Sequence, residues 1–504
     1  MQGVSDLNRE LLDAAALCRQ LVAEGSVAAF LADHRQELFP DAMFEDLFAS
    51  RRGRPSIPGD VVATVMVLQS LEGFSDREAA HALTNRIDWK VACGLALTDA
   101  AFDYSVLTYW RSRLRNSTRP ERIFDAVREV VAATGVLKAK TRRALDSTVL
   151  DDAVATQDTV TQLVAQLRRV KRLVGEASAL EARVPDDGRA KPLADWSDAA
   201  ARATLVDELV ADARDVLAVC AGLELTEDQN SALGLLGLVA GQDVERGEDG
   251  TWRIARKVAK DRVVSTVDAE SRHTHKSRVE HRDGYKAHVA VEPETGIVTA
   301  CALSAGNVPD AKLGPELLAA EPTGLTVYAD TAYASGDSLA ALQDAGHATI
   351  IKPWPISPAI EGGFHRDDFA VDEAAGTVTC PAQHTVRISA RRHANFGVRC
   401  SSCALRARCT SASGGRKVSL LEHDALLVAN RERFRDPSVV SDYRKWRPMV
   451  ERSLSWLARG PSRRLRYRGL ARNQQGLSTR VAAINLRRLI NLGLDYDEGW
   501  VLAT

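Results

Sequence analysis

The chain of 504 residues is 45% hydrophobic and 26% charged, and 66 Lys and Arg nearly balance 67 Asp and Glu, for a net charge of −1. That composition is that of a globular protein, and the length implies about three structural units rather than one core. No apolar run approaches the ~18 residues of a membrane span, and the opening MQGVSDLNRELLDAA lacks the basic and apolar regions of a signal peptide. A cytoplasmic chain with reduced cysteines is therefore expected.

The near-zero balance conceals segregation. From Glu176 to Asp249 there are 17 acidic and 6 basic residues, whereas from Arg452 to Leu494 there are 10 Arg and no Asp or Glu. A basic face beside an acidic one suits an enzyme acting on a polyanion. Residues 1–138 read as an N-terminal all-α domain. Arg51, Arg52 and Arg54 form a basic arm, and Pro55 and Pro58 set off a helix from near Asp60 to Gly73. Ser75 followed by Glu78 is a capping box that opens a second helix, Asp76 to Asn85. The outline is a helix-turn-helix, a DNA-reading arrangement that plain helical bundles also produce. Ser105 to Arg115 gives a further helix, with Tyr109 and Trp110 close to basic residues.

Within residues 139–152, Ala144 to Leu150 is a short β-branched run around a lone acid, so Asp146 projects from a strand, with Asp151 and Asp152 as rival acids. Apolar spacing then turns helical. Val160, Leu163, Val164 and Leu167, and later Leu205, Leu209, Val210 and Ala213, mark two long helices flanking a Pro/Asp/Gly-rich link, Pro185 to Trp196. Residues 153–260 therefore read as a helical insertion. Strand signals return in the core stretch 261–353. His281 to Val291 pairs with Ile297 to Leu303 around Gly296, and Asn307 to Asp310 caps a helix ending at Leu318. Leu325 to Pro353 is a βαβ unit, with a strand running into Asp330, a helix from Ser338 to Ala345 and a strand from Thr349 to Lys352. Asp330 thus stands at the carboxyl end of a parallel strand, where open α/β sheets keep their chemistry, although a single acid there also serves as a turn cap.

Residues 354–418 read as a loop-rich insertion with little hydrophobic core. It carries Cys380, Cys400, Cys403 and Cys409, a candidate Cys₄ zinc site with His384 and His393 as substitute ligands. Unligated thiols are the alternative. Cys18, Cys93, Cys220 and Cys301 sit in apolar contexts and read as core residues. In the last segment, 419–494, Val450, Leu454 and Leu457 mark a buried stripe beside Glu451, on a helix with Pro448 at its first position. Arg459, Arg463, Arg464, Arg466, Arg468 and Arg472 follow, then a helix from Leu477 to Leu492.

Three acids drawn together would repel one another by about 4 kcal/mol per pair at ~4 Å and an effective dielectric of ~20. Such a cluster persists with shared protons or with bound cations, and carboxylate oxygens select Mg²⁺ or Mn²⁺. Two such ions clamp the attacking and leaving oxygens of an in-line phosphoryl displacement. Leu-Asp146-Ser-Thr, Val-Tyr-Ala-Asp330-Thr-Ala-Tyr, Asp283-Gly-Tyr-Lys-Ala-His288 and Arg447-x3-Glu451, with Tyr443 upstream, resemble the motifs of DDE transposases of bacterial insertion sequences. The likeness extends to the N-terminal helical block Arg51 to Arg115 and to the cysteine insertion. Two departures stand out: Tyr443 is one residue farther from the Arg than usual, and Ala458 occupies the position of an expected basic residue.

The resemblance implies a ribonuclease H-like mixed α/β core with a catalytic, metal-binding Asp146, Asp330 and Glu451. It also implies Mg²⁺ or Mn²⁺, cleavage at transposon ends and strand transfer into target DNA. Double-stranded DNA is the expected partner, held by the basic arm, Arg447 and the Arg-rich tail (Arg459, Arg463, Arg464, Arg466 and Arg468), with a homodimer or higher assembly joining two ends. A non-catalytic DNA-binding remnant and a two-metal nuclease are the competing readings.

Overall fold

A ten-residue strand, β1 (Arg142–Asp151), runs through the middle of a six-stranded mixed sheet. The computed structural model describes residues 1–5, 12–48, 50, 52–178, 192, 194–275 and 280–502. On one side β1 pairs antiparallel with β3 (His281–Val291), which pairs in turn with β2 (Arg272–His275) along its first residues and with β4 (Val298–Ala305) along the rest. On the other side β5 (Thr326–Ala329) and then β6 (Ala348–Ile351) run parallel to β1. Gly284 stands where β3 meets both β1 and β2. Its φ is +152°, and a Cβ there would lie 2.1 Å from the carbonyl oxygen of Leu150, so only glycine fits the crossing.

Alternation along β1 sends its side chains to two faces. Leu145 joins Leu317, Val327, Tyr333 and Leu339 beneath the helices Asp310–Leu318 and Gly336–Asp344. Ala144 joins the other face, with Tyr328, with Val450, Leu454 and Leu457 of the helix Met449–Leu457, and with Val481 and Leu486 of the helix Leu470–Asn491. That cluster is continuous with the N-terminal helices through Leu31, Val65, Trp89, Leu107 and Val127. The helix pair Gly59–Glu72 and Asp76–Asn85 forms as its sequence suggests: Gly73 takes the left-handed conformation, and Ser75 and Glu78 close the capping box.

The insertion is larger than two helices. Thr159–Leu173 and Ala199–Val219 are joined by a third, Glu227–Gln242, and by a hairpin, Val244–Arg246 with Trp252–Ile254. The third helix begins at a Thr226/Gln229 capping box, but Gly234, Gly237 and Gly241 interrupt its apolar period. These elements have a core of their own around Leu163, Leu167, Leu209 and Leu236. Most of the Pro185 to Trp196 link lies outside the described residues.

The cysteine segment also has a hydrophobic core, contrary to expectation: Phe369, Val378, Val386, Phe396 and Val418 pack between two small sheets. Its strands are three residues long and too short to show a period. Element ends shift for local reasons. The Ser335 hydroxyl caps the Ser338 N–H, so that helix starts at Gly336 rather than Ser338. The side-chain amide of Asn473 donates to the carbonyls of Tyr467 and Gly469, fixing the start of the last helix at Leu470 rather than Leu477. Cys93 and Cys220 are buried as expected, whereas Cys18 and Cys301 are only partly so.

Candidate active site

The parallel register matches Ala144 with Tyr328, and both side chains enter the same face of the sheet. Two residues further along each chain, on the same side by alternation, are Asp146 and Asp330. The helix Met449–Leu457 covers that face and brings Glu451 with it. One side chain spans the three acids. Arg447 Nη2 is 2.8 Å from Asp146 Oδ2 and 3.7 Å from Asp330 Oδ2, while Nη1 is 2.8 Å from Glu451 Oε1. Arg447 and Asp146 are deep, with side chains 10% and 13% exposed; Asp330 is half-exposed and Glu451 at 66% forms the solvent rim. Asp330 also caps its turn, accepting from the Ala332 N–H at 2.9 Å.

Burial pushes the Asp146 carboxyl up to about 6, against the pull of Arg447 and of the Ser147 N–H, and Asp330 and Glu451 add to the rise. Sequence reasoning missed the role of Asp310 next to β1. Asp310 accepts from the Ser147 hydroxyl at 2.7 Å and pairs with Lys286 Nζ at 2.8 Å. The Tyr333 hydroxyl is buried without a hydrogen-bond partner among the described residues. Burial raises its pKa, with Asp310, Asp146 and Asp330 adding to the effect. Burial likewise raises Tyr443, against Arg447. The rival acids are engaged elsewhere: Asp151 pairs with Arg282 at 2.8 Å, and Asp152 accepts from Ser271.

Three carboxylates thus share the one guanidinium of Arg447 and present only oxygen donors. That donor set and that excess of negative charge fit a hard divalent cation.

Residues 249–486 match the family described as Transposase DDE domain, and residues 19–113 match the family described as Transposase domain. The chain belongs to the DDE transposases. No curated protein and no solved structure matches it. The DDE match takes in Asp330, Arg447 and Glu451 but starts at 249, beyond Asp146.

The arginines of this transposase divide by surroundings. Arg51 lies outside the described residues. Arg52, Arg54, Arg459, Arg464 and Arg468 are exposed, and Arg463 and Arg466 are half-buried. Arg464 Nε donates to the Asp152 carbonyl at 3.3 Å and Arg466 to that of Gly73, so the tail lies between the end of β1 and the turn of the N-terminal helix pair. Arg447 departs from expectation: it is buried on three carboxylates and is not presented to a phosphate backbone. In the cysteine segment Cys380, Cys400 and Cys409 are buried and Cys403 is half-exposed. Burial pushes the Cys409 thiol up, and the other three thiols lie close enough to add to the rise.

Proposed function

We propose that this DDE transposase cuts DNA at transposon ends and joins them to target DNA by in-line phosphoryl displacement, with Asp146, Asp330 and Glu451 holding divalent cations, Mg²⁺ or Mn²⁺. The observation that carries the reading is the single guanidinium of Arg447 shared by all three acids, which come from segments over 100 residues apart in the chain. The sheet order, with β3 antiparallel between β1 and β4 and two parallel strands beyond, supports a ribonuclease H-like core.

Bound cations supply charge neutralisation at the reacting phosphate. Arg447 orients the carboxylates and keeps them from repelling one another before DNA arrives. Asp310, fixed by Ser147 and Lys286, supports β1 and β3 at the level of Asp146. In cleavage a water oxygen attacks phosphorus and the 3′ oxygen leaves. In transfer that 3′ hydroxyl attacks a target phosphorus, one phosphodiester breaking as another forms. Arg459, Arg464 and Arg468, with Arg52 and Arg54, hold the DNA backbone. Two ends must be joined, so two copies act together. Cys380, Cys400, Cys403 and Cys409, which lie near one another in the small module, would hold Zn²⁺ only after drawing closer together than they stand in the fold.

The test is cleavage of DNA carrying the element's own ends with Mg²⁺ or Mn²⁺, for wild type and Asp330→Asn. Cleavage by wild type, lost in the variant while end binding persists, is the expected result. A wild type that binds ends and never cuts would leave only a DNA-binding remnant.

A further inference from the structure

The geometry points to a transition-metal site on the β2–β3 hairpin, made by His273, His275 and His281, that the phosphoryl-transfer chemistry does not use. Strand register builds it. His273 and His275 are two residues apart on β2 and so share a face. The antiparallel ladder sets His281 opposite His275 and Asp283 opposite His273, so three imidazoles and one carboxylate stand on one side of two strands. The ring centroids lie 4.5 Å apart for His275 and His281, 4.9 Å for His273 and His275, and 5.4 Å for His273 and His281. One ring nitrogen from each comes within 4.8 Å of the others, a spacing that, among the described residues, no other group of three His, Cys, Asp or Glu donors reaches.

Zn–N bonds of about 2.0–2.1 Å in a tetrahedron separate neighbouring donors by roughly 3.3 Å. The rings are therefore within a modest χ rotation of coordination, and all three are exposed, free to make it. Imidazole donors without a thiolate select Zn²⁺ and its neighbours Co²⁺, Ni²⁺ and Cu²⁺ over the Mg²⁺ expected at carboxylates.

The surroundings supply the support that ligating histidines need. Nδ1 of His273 lies 2.7 Å from Asp283 Oδ1, which directs the other ring nitrogen to the shared centre. The second oxygen of Asp283 accepts from the Thr156 hydroxyl. Asp283 is thus a positioning carboxylate rather than a fourth ligand, and solvent completes the shell. Thr156 belongs to the link between β1 and the helical insertion, and the Asp152 N–H donates to the Asp283 carbonyl at 3.1 Å. An ion held by the trio ties the hairpin to the place where the chain leaves the sheet for the insertion. Its role is structural, fixing the insertion's root against the core.

Co²⁺ titration of the full-length protein tests this, because cobalt spectra separate imidazole from thiolate ligation. With excess Mg²⁺ present to occupy the carboxylates, wild type should bind one equivalent of Co²⁺ lacking the intense thiolate charge-transfer absorption, whatever the cysteine module binds. The double variant His275→Ala, His281→Ala should lose that equivalent and keep any thiolate-bound one. Asp283→Asn should weaken it about 10- to 100-fold. Metal-free melting temperatures of wild type and the double variant should agree, since the rings are exposed; Zn²⁺ should raise only the wild type through this site. If the double variant binds cobalt with unchanged stoichiometry and affinity, or if wild type shows no cobalt outside the thiolate signature, the trio is an imidazole cluster and not a metal site.

Discussion

Arg447 and the arginines 12 to 21 residues after it are one residue type in one basic stretch, yet the fold gives them opposite surroundings. Arg447 is buried with three carboxylates, whereas Arg459, Arg464 and Arg468 are exposed. Arg480 is half-buried without an acid. Its Nη1 donates to the carbonyls of Leu457 and Ser462 at 2.9 and 2.7 Å, and burial lowers its pKa to about 10. Positive charge in this sequence thus does two jobs. In the interior it organises carboxylates or ties off carbonyls; at the surface it remains available to a polyanion.

The contrast is sharpest under substitution. Arg447→Ala leaves Asp146 buried beside Asp330 and Glu451 with no cation, so unfolding free energy in metal-free buffer should fall by about 3–5 kcal/mol in denaturant titration. If Arg447 behaved like a surface arginine, the change would be under about 1 kcal/mol.

Asp146→Asn should move stability the other way. Its folded pKa near 6 exceeds the unfolded value of about 3.9, so the fold disfavours the charged form. The resulting penalty is absent below about pH 4 and complete above about pH 6. The variant should therefore gain about 3 kcal/mol in metal-free protein at pH 8 and nothing near pH 4, read by paired denaturant curves. Mn²⁺ binding to the wild type should weaken as pH falls through about 6, where metal-free Asp146 takes up a proton that competes with the cation.

The smallest effect belongs to the surface arginines. Arg459→Ala and Arg468→Ala should each leave stability within about 0.5 kcal/mol and weaken DNA binding on any sequence. Each should lower the slope of log K against log salt by about 1. An unchanged slope would place the DNA elsewhere.

Much of this division was legible in the sequence where the signal is local. Gly73 and the Ser75/Glu78 box announce the helix pair, and Gly346 ends its helix. The βαβ unit sets Asp330 at a strand end from its own residues. Asp310 was not legible as a partner of Ser147, because their contact spans 163 positions and depends on sheet register. The burial of Arg447 was hidden for the same reason: sequence shows an arginine four residues before a glutamate but not the two strands beneath it. The histidine trio depends on the pairing of β2, a four-residue strand too short to declare itself.

The most direct measurement is Mn²⁺-dependent cleavage of end-bearing DNA by Asp146→Asn, Asp330→Asn, Glu451→Gln and their double variants. If the three acids form one site, each single change removes cleavage by about 10³-fold or more, end binding persists, and the double variants are no worse than the singles. A single variant that cuts at the wild-type rate would show that its acid lies outside the catalytic centre and would break the three-carboxylate site apart.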